Sequence, residues 1–116
     1  MDLTEFLTAR LDEDEAVAAA GSRRVGMPWH AEPQPGTPGG LVIDELGLVG
    51  STGGSYAADH IARHDPARTL REVEDGRKLL AWYAATGDRA YLNAIRARAA
   101  VYRDHPDYDP LWAPPE

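Results

Sequence analysis

The chain contains no cysteine. That removes disulfides, thiolate metal ligands, cysteine nucleophiles and thiol redox chemistry together. No apolar run approaches the roughly 20 residues that span a bilayer. The start, Met1-Asp2-Leu3-Thr4-Glu5, is acidic where a secretory signal opens on a basic region followed by an apolar one. A cytoplasmic protein with no membrane association is the expectation. Several catalytic and phosphate-binding patterns are missing too. No lysine follows the glycines of Gly50-Ser51-Thr52-Gly53-Gly54-Ser55, so the phosphate-loop pattern is incomplete, and the dinucleotide glycine pattern is absent. Ser22, Ser51 and Ser55 lack the Gly-x-Ser-x-Gly elbow of a serine nucleophile. Asp104, Asp107 and Asp109 do not follow calcium-loop spacing.

What is present describes a globular domain. A chain of 116 residues, 43% hydrophobic and 27% charged, is long enough for one core and too apolar for full disorder. The net charge of −7 disfavours nonspecific nucleic-acid binding by the whole chain. That charge is unevenly placed. Residues 1–59 carry −7, residues 60–103 carry +4 and residues 104–116 carry −4. Either the acidic ends neutralise the basic middle, or the middle meets an acidic partner.

The hydrophobic periodicity changes along the chain. Asp2 is placed to cap a first helix, with Glu5 completing a capping box, and Leu3, Phe6, Leu7, Leu11, Val17 and Ala18 form its apolar face. Arg10 and Asp14, four apart, are expected to pair, and Gly21 is a stop. Asp12-Glu13-Asp14-Glu15 reads as a solvated surface, since consecutive helical residues cannot converge on one cation.

Residues 22–54 are rich in glycine and proline. Met27–Ala31, Leu41–Ile43 and Leu46–Val49 read as short strands of an antiparallel meander, with Trp29 anchoring a covering helix. Ser55 is a candidate N-cap for a helix from Tyr56 to His64. Pro66 crowds Asp65 out of helical geometry, so Asp65 caps the next helix with Pro66 at its first position. That helix extends to about Ala85, with Leu70, Val73, Leu80, Ala81 and Ala84 sharing a face. Its end, Leu79–Ala85 with Trp82, is apolar nearly all round and is expected to be buried on more than one side. Asp88 caps a last helix to about Arg103, with Tyr91, Leu92, Ile95, Ala99 and Tyr102 facing inward. Tyr108 and Trp112 are too hydrophobic for a free tail, so 104–116 packs back on the domain or docks on another chain. The expected architecture is α+β: one domain over 1–116, with a helix at 1–20, a small three-stranded sheet and loops at 22–54, three helices at 55–103 and an extended tail at 104–116.

The central run Ala57-Ala58-Asp59-His60-Ile61-Ala62-Arg63-His64-Asp65-Pro66-Ala67-Arg68-Thr69-Leu70-Arg71-Glu72-Val73-Glu74, the start Asp2–Leu11 and the ending His105-Pro106-Asp107-Tyr108-Asp109 with Trp112 together resemble a family of short actinobacterial and actinophage proteins of unknown function. The region 30–54 matches only in its turn-rich, short-strand character. Gly76 departs from the better helix formers expected at its place and costs about 1 kcal/mol relative to alanine. The resemblance implies an identity and no activity.

Two groups of residues remain as candidate sites. His60 and His64 share a helix face at four-residue spacing, and His105 or His30 is a possible third nitrogen and Asp65 a carboxylate neighbour for a divalent metal such as zinc. Ile61 stands where His-Glu-x-x-His chemistry requires its base. The reading preferred for the same histidines is structural, as hydrogen-bonders near a helix end. Arg89, Arg96 and Arg103 recur every seven residues and form a basic flank, open to an anionic partner or to the chain's own acids. The favoured expectation is a non-enzymatic interaction or regulatory domain with an unidentified protein partner and no cofactor, structurally supported by Trp29, Asp65, Pro66, Trp82, Tyr108 and Trp112. The alternative is a metal-dependent hydrolase or nuclease.

Overall fold

Asp2 starts the first helix by accepting the Glu5 backbone N–H on its carboxylate at 2.8 Å, and the Thr4 hydroxyl, not the Glu5 carboxylate, supplies the accompanying side-chain contact. These bonds hold Asp2 below its ordinary carboxylate pKa, the Glu5 N–H contributing most. Helix α1 runs Leu3–Gly21. The computed structural model describes residues 1–22 and 28–116. The described residues form an α+β architecture of four helices and a three-stranded antiparallel sheet, in the order α1, β1 (His30–Pro33), β2 (Gly40–Asp44), β3 (Gly47–Thr52), α2 (Ser55–Arg63), α3 (Pro66–Thr86), α4 (Arg89–Ala99). Among them no helix is long and apolar enough to cross a membrane. They divide into two compact units, Met1–Glu15 with Glu72–Glu116, and Ala16–Arg71.

The second unit holds the sheet, in strand order β1-β2-β3. His30 faces Ile43 and Pro33 faces Gly40. On the other side Val42 faces Gly50 and Ile43 faces Leu48, which leaves Val49 as the extra residue of a bulge. Met27, at the start of the expected first strand, lies outside the described residues, and β1 begins at His30. Helix α2 lies over β1 and β2. It packs Ala58 and Ala62 on Val42, with Trp29 and Ala31 at the edge of the cluster. Gly40 makes this approach possible, since a Cβ there would stand 2.5 Å from the Ala58 Cβ. The N-cap of α2 is Gly54, not Ser55, which is already the first helical residue. Asp65 then caps α3, its Oδ1 accepting the Arg68 N–H at 2.8 Å and its Oδ2 the Trp29 N–H at 3.0 Å.

The first unit is built on Leu3, Phe6, Leu7, Leu11, Val73, Ile95 and Ala99. Phe6 is fully buried and gathers Tyr102, His105, Tyr108 and Trp112, with the Trp112 ring centroid at 5.2 Å. Helix α3 passes uninterrupted through Gly76, where a Cβ would meet the Leu11 methyls at 3.0 and 3.1 Å. The glycine is a contact residue, and helix propensity yields to it. Gly87, at φ +64°, closes α3 by donating its N–H to Tyr83. Asp88 caps α4 through the Ala90 N–H at 2.8 Å. The helix ends at Ala99, and Ala100–Tyr102 continue as a 3-10 turn. The tail is less extended than its prolines imply: turns at Tyr102–His105 and His105–Tyr108 precede a second 3-10 turn at Pro110–Trp112.

Three expectations about burial and pairing are corrected. Val17 is 67% exposed. At 100° per residue it sits well away from Ala18 and from the Leu11 line, so the core never reaches it. The end of α3 is not buried on several sides: Ala81 and Ala84 are exposed, and Trp82 is 47% exposed, resting on Tyr91. Arg10 pairs with Glu13 at 3.1 Å, while Asp14 accepts the Tyr102 hydroxyl at 2.5 Å. Partners distant in sequence displace the local four-residue pair.

Candidate functional site

Helix α4 carries the site. Arg89, Asn93 and Arg96 follow each other at four and three residues, which aligns them on one helix flank. The tail returns beside that flank. Arg89, Asn93, Arg96 and Pro115 line an open pocket of about 360 Å³. Along the same flank, Ala100, Arg103 and Asp104 face Tyr108, Pro110, Ala113 and Pro114 across a second cavity of about 460 Å³. One wall is helical and cationic. The other is a proline-rich tail whose rings and methyls offer apolar surface.

The other cations of this unit each have a carboxylate partner. Arg77 holds both Asp12 at 2.9 Å and Glu15 at 2.5 Å. Its hydrogen bond and charge keep the Glu15 carboxyl below its usual range. Arg10 takes Glu13, Lys78 takes Glu74 at 3.6 Å, and Arg98 takes Asp75 at 3.3 Å together with the Glu72 carbonyl. Among the described residues, the side chains of Arg89, Arg96 and Arg103 make no ion pair and no hydrogen bond. Arg96 Nε is moreover buried without a hydrogen-bond partner. A guanidinium N–H removed from water and left unmatched is costly.

The histidines are distributed differently. His60 and His64 stack with ring centroids 4.4 Å apart. His64 Nδ1 donates to the His60 carbonyl at 2.9 Å, the bond that fixes its ring beside the end of α2. Asp65 points its two oxygens at backbone N–H groups as a cap. His30 lies in β1 beside Glu32 at 3.3 Å. His105 belongs to the Phe6 cluster, with Arg10 Nη1 against both its ring nitrogens and the Asp107 N–H bonded to its Nδ1 at 3.0 Å. Among the described residues no three histidine or carboxylate side chains gather as a metal would need.

Asn93 and Pro115 were not among the residues singled out from sequence. Asn93 shares the flank of Arg89 and Arg96, so the helical period contained it. Pro115 needed the course of the tail. The Tyr102–Asp14 bond and the Arg77 clamp join residues 88 and more than 60 positions apart, and no local pattern signals them. Tyr102 is pushed above its usual phenol range, first by burial and then by the Asp14 carboxylate.

The model of a family of unknown function, DUF6221, matches residues 1–114. The chain belongs to that family. The match spans both ends and the centre of the chain, the three places that carried the resemblance in sequence. Among curated proteins and solved structures none matches the chain.

Proposed function

We propose that this member of the DUF6221 family is a small, non-enzymatic interaction domain of the cytoplasm, in an actinobacterial or phage setting, that docks an acidic protein on the α4 arginine flank. One observation carries the reading. In the unit that contains α4, every other arginine and lysine has a carboxylate beside it, while Arg89, Arg96 and Arg103 have none among the described residues. Arg89 and Arg96 stand one heptad apart on α4, roughly 10 Å along its axis, and Arg103 follows the 3-10 turn that ends it. A row of side chains can engage several carboxylates of one partner, each through the bidentate geometry that guanidinium favours. The overall charge of −7 limits nonspecific adhesion to polyanions, so binding on this flank is local.

The test is fluorescence anisotropy of labelled poly-glutamate, and separately of single-stranded DNA, titrated with the whole chain at low and moderate salt. The expected result is salt-sensitive binding of poly-glutamate, weakened at least tenfold in the R89E/R96E/R103E variant with an unchanged melting curve. Absence of binding at low salt, undiminished binding by the folded triple variant, or a clear preference for DNA overturns the proposal.

A further inference from the structure

Two cavities side by side on one flank ask for two chemistries. The first is lined by Arg89, Asn93 and Arg96, with Pro115 closing it. It offers two guanidinium groups and an amide, neither guanidinium paired with a carboxylate among the described residues. The second lies between Ala100 and Arg103 on one side and Tyr108, Pro110 and Pro114 on the other. Its walls are largely ring and methyl surface, and of the two charged residues that line it Asp104 opposes the charge of Arg103 and disfavours a second carboxylate. The two linings are centred about nine residues apart, six in α4 and three in the 3-10 turn that follows it, roughly 15 Å, which an extended chain covers in about four residues.

The geometry points to an extended peptide as the ligand, carrying an acidic side chain for the Arg89/Asn93/Arg96 cavity and an apolar side chain, about four positions away, for the Ala100/Tyr108/Pro114 cavity. This rests on the acidic-partner reading and adds to it a defined two-point epitope. The carboxylate meets the unpaired guanidinium groups of Arg89 and Arg96, in the bidentate geometry that guanidinium favours. The apolar side chain displaces water from the proline-lined cavity and selects among acidic sequences. Free phosphate or a free amino acid satisfies only the first point.

Fluorescein-labelled nonapeptides in a Gly/Ser host test this with the whole chain. One carries Glu and Leu four positions apart in either order, one carries Glu alone, one Leu alone, and inorganic phosphate is the competitor. The two-point peptide is expected to bind at least tenfold more tightly than either single-point peptide and to resist millimolar phosphate. In the Ala100→Phe variant, which fills the second cavity, the advantage of the Leu is expected to vanish while Glu-dependent binding remains. Ala113→Leu provides the same test from the tail side should Ala100→Phe fail to fold. Equal affinity for the two-point and Glu-only peptides overturns this inference and leaves the acidic-partner reading standing. So does a Leu advantage that survives filling the cavity. Failure of every Glu-containing peptide, together with failure of poly-glutamate, removes both.

Discussion

The Asp65 carboxylate bonds the Trp29 backbone across 36 positions of sequence while capping α3 beside it. One side chain therefore satisfies two backbone donors, one from a helix start and one from the approach to β1. Asp65→Ala leaves both N–H groups without that acceptor, at a cost of about 1–3 kcal/mol. Asp65→Asn keeps a single acceptor oxygen and loses less. Urea denaturation is expected to rank the native chain above Asp65→Asn and Asp65→Asn above Asp65→Ala. Equal midpoints for the two variants would show that only one of the bonds matters.

Gly40 tests the seating of α2 on the sheet. A methyl at this position cannot coexist with Ala58 at 2.5 Å, and the Ser55 backbone stands 3.2 Å away. Gly40→Ala is expected to lose about 1–3 kcal/mol by overpacking. Ala58→Gly in the same chain restores part of the loss, less the roughly 1 kcal/mol that glycine costs a helix interior. A double-mutant cycle with no coupling energy would refute the contact.

Glu15 gives the acid limb a defined contributor. Its pKa is depressed by Arg77, so its stabilising share is present above the ordinary value of 4.5 and is lost as pH falls through the depressed one. Arg77→Ala is expected to return the Glu15 titration, followed by carboxyl NMR, toward 4.5 and to flatten the fall of stability with acid. An unchanged Glu15 titration in the variant contradicts the assignment.

Tyr102 acts at the opposite limb. Its folded pKa is raised by burial and by Asp14, from an ordinary value of 10.0. Below that value both folded and unfolded chains keep the phenol proton, and the hydrogen bond contributes fully. Above it the unfolded chain ionises first, so stability falls until folded Tyr102 ionises as well. Tyr102→Phe is expected to be less stable at neutral pH and to lose stability less steeply in alkali. Ultraviolet titration of the folded native chain should show a phenol that ionises late and is missing from the variant. Parallel alkaline slopes would place the effect elsewhere.

What could be read from the sequence was the chemistry that acts over a few residues. Asp2, Asp65 with Pro66 and Asp88 are local instructions, and each stands at the start of its helix. The meander followed from short connections, and the bulge at Val49 from nothing visible in a row of apolar letters. Errors arose where the third dimension decides. Val17 and Ala81 are apolar but lie beyond the reach of the core. Arg10 and Asp14 have four-residue spacing, yet Glu13 and His105 compete for the one and Tyr102 for the other. The arginine flank was legible as an alignment. Whether acids covered it depended on where Asp12 and Glu15 point, and both point at Arg77.

The tail is pinned at Trp112 and Tyr108 to Phe6, and it supplies one side of both cavities on α4. A ligand that touches both sides therefore binds only molecules whose tail is latched. Its apparent dissociation constant is the intrinsic one divided by the latched fraction. Linkage makes this reciprocal: occupancy of the flank tightens the latch by the same free energy. Under the proposed two-point binding, a buried phenylalanine near the beginning of the chain governs, through the tail, an affinity expressed on α4.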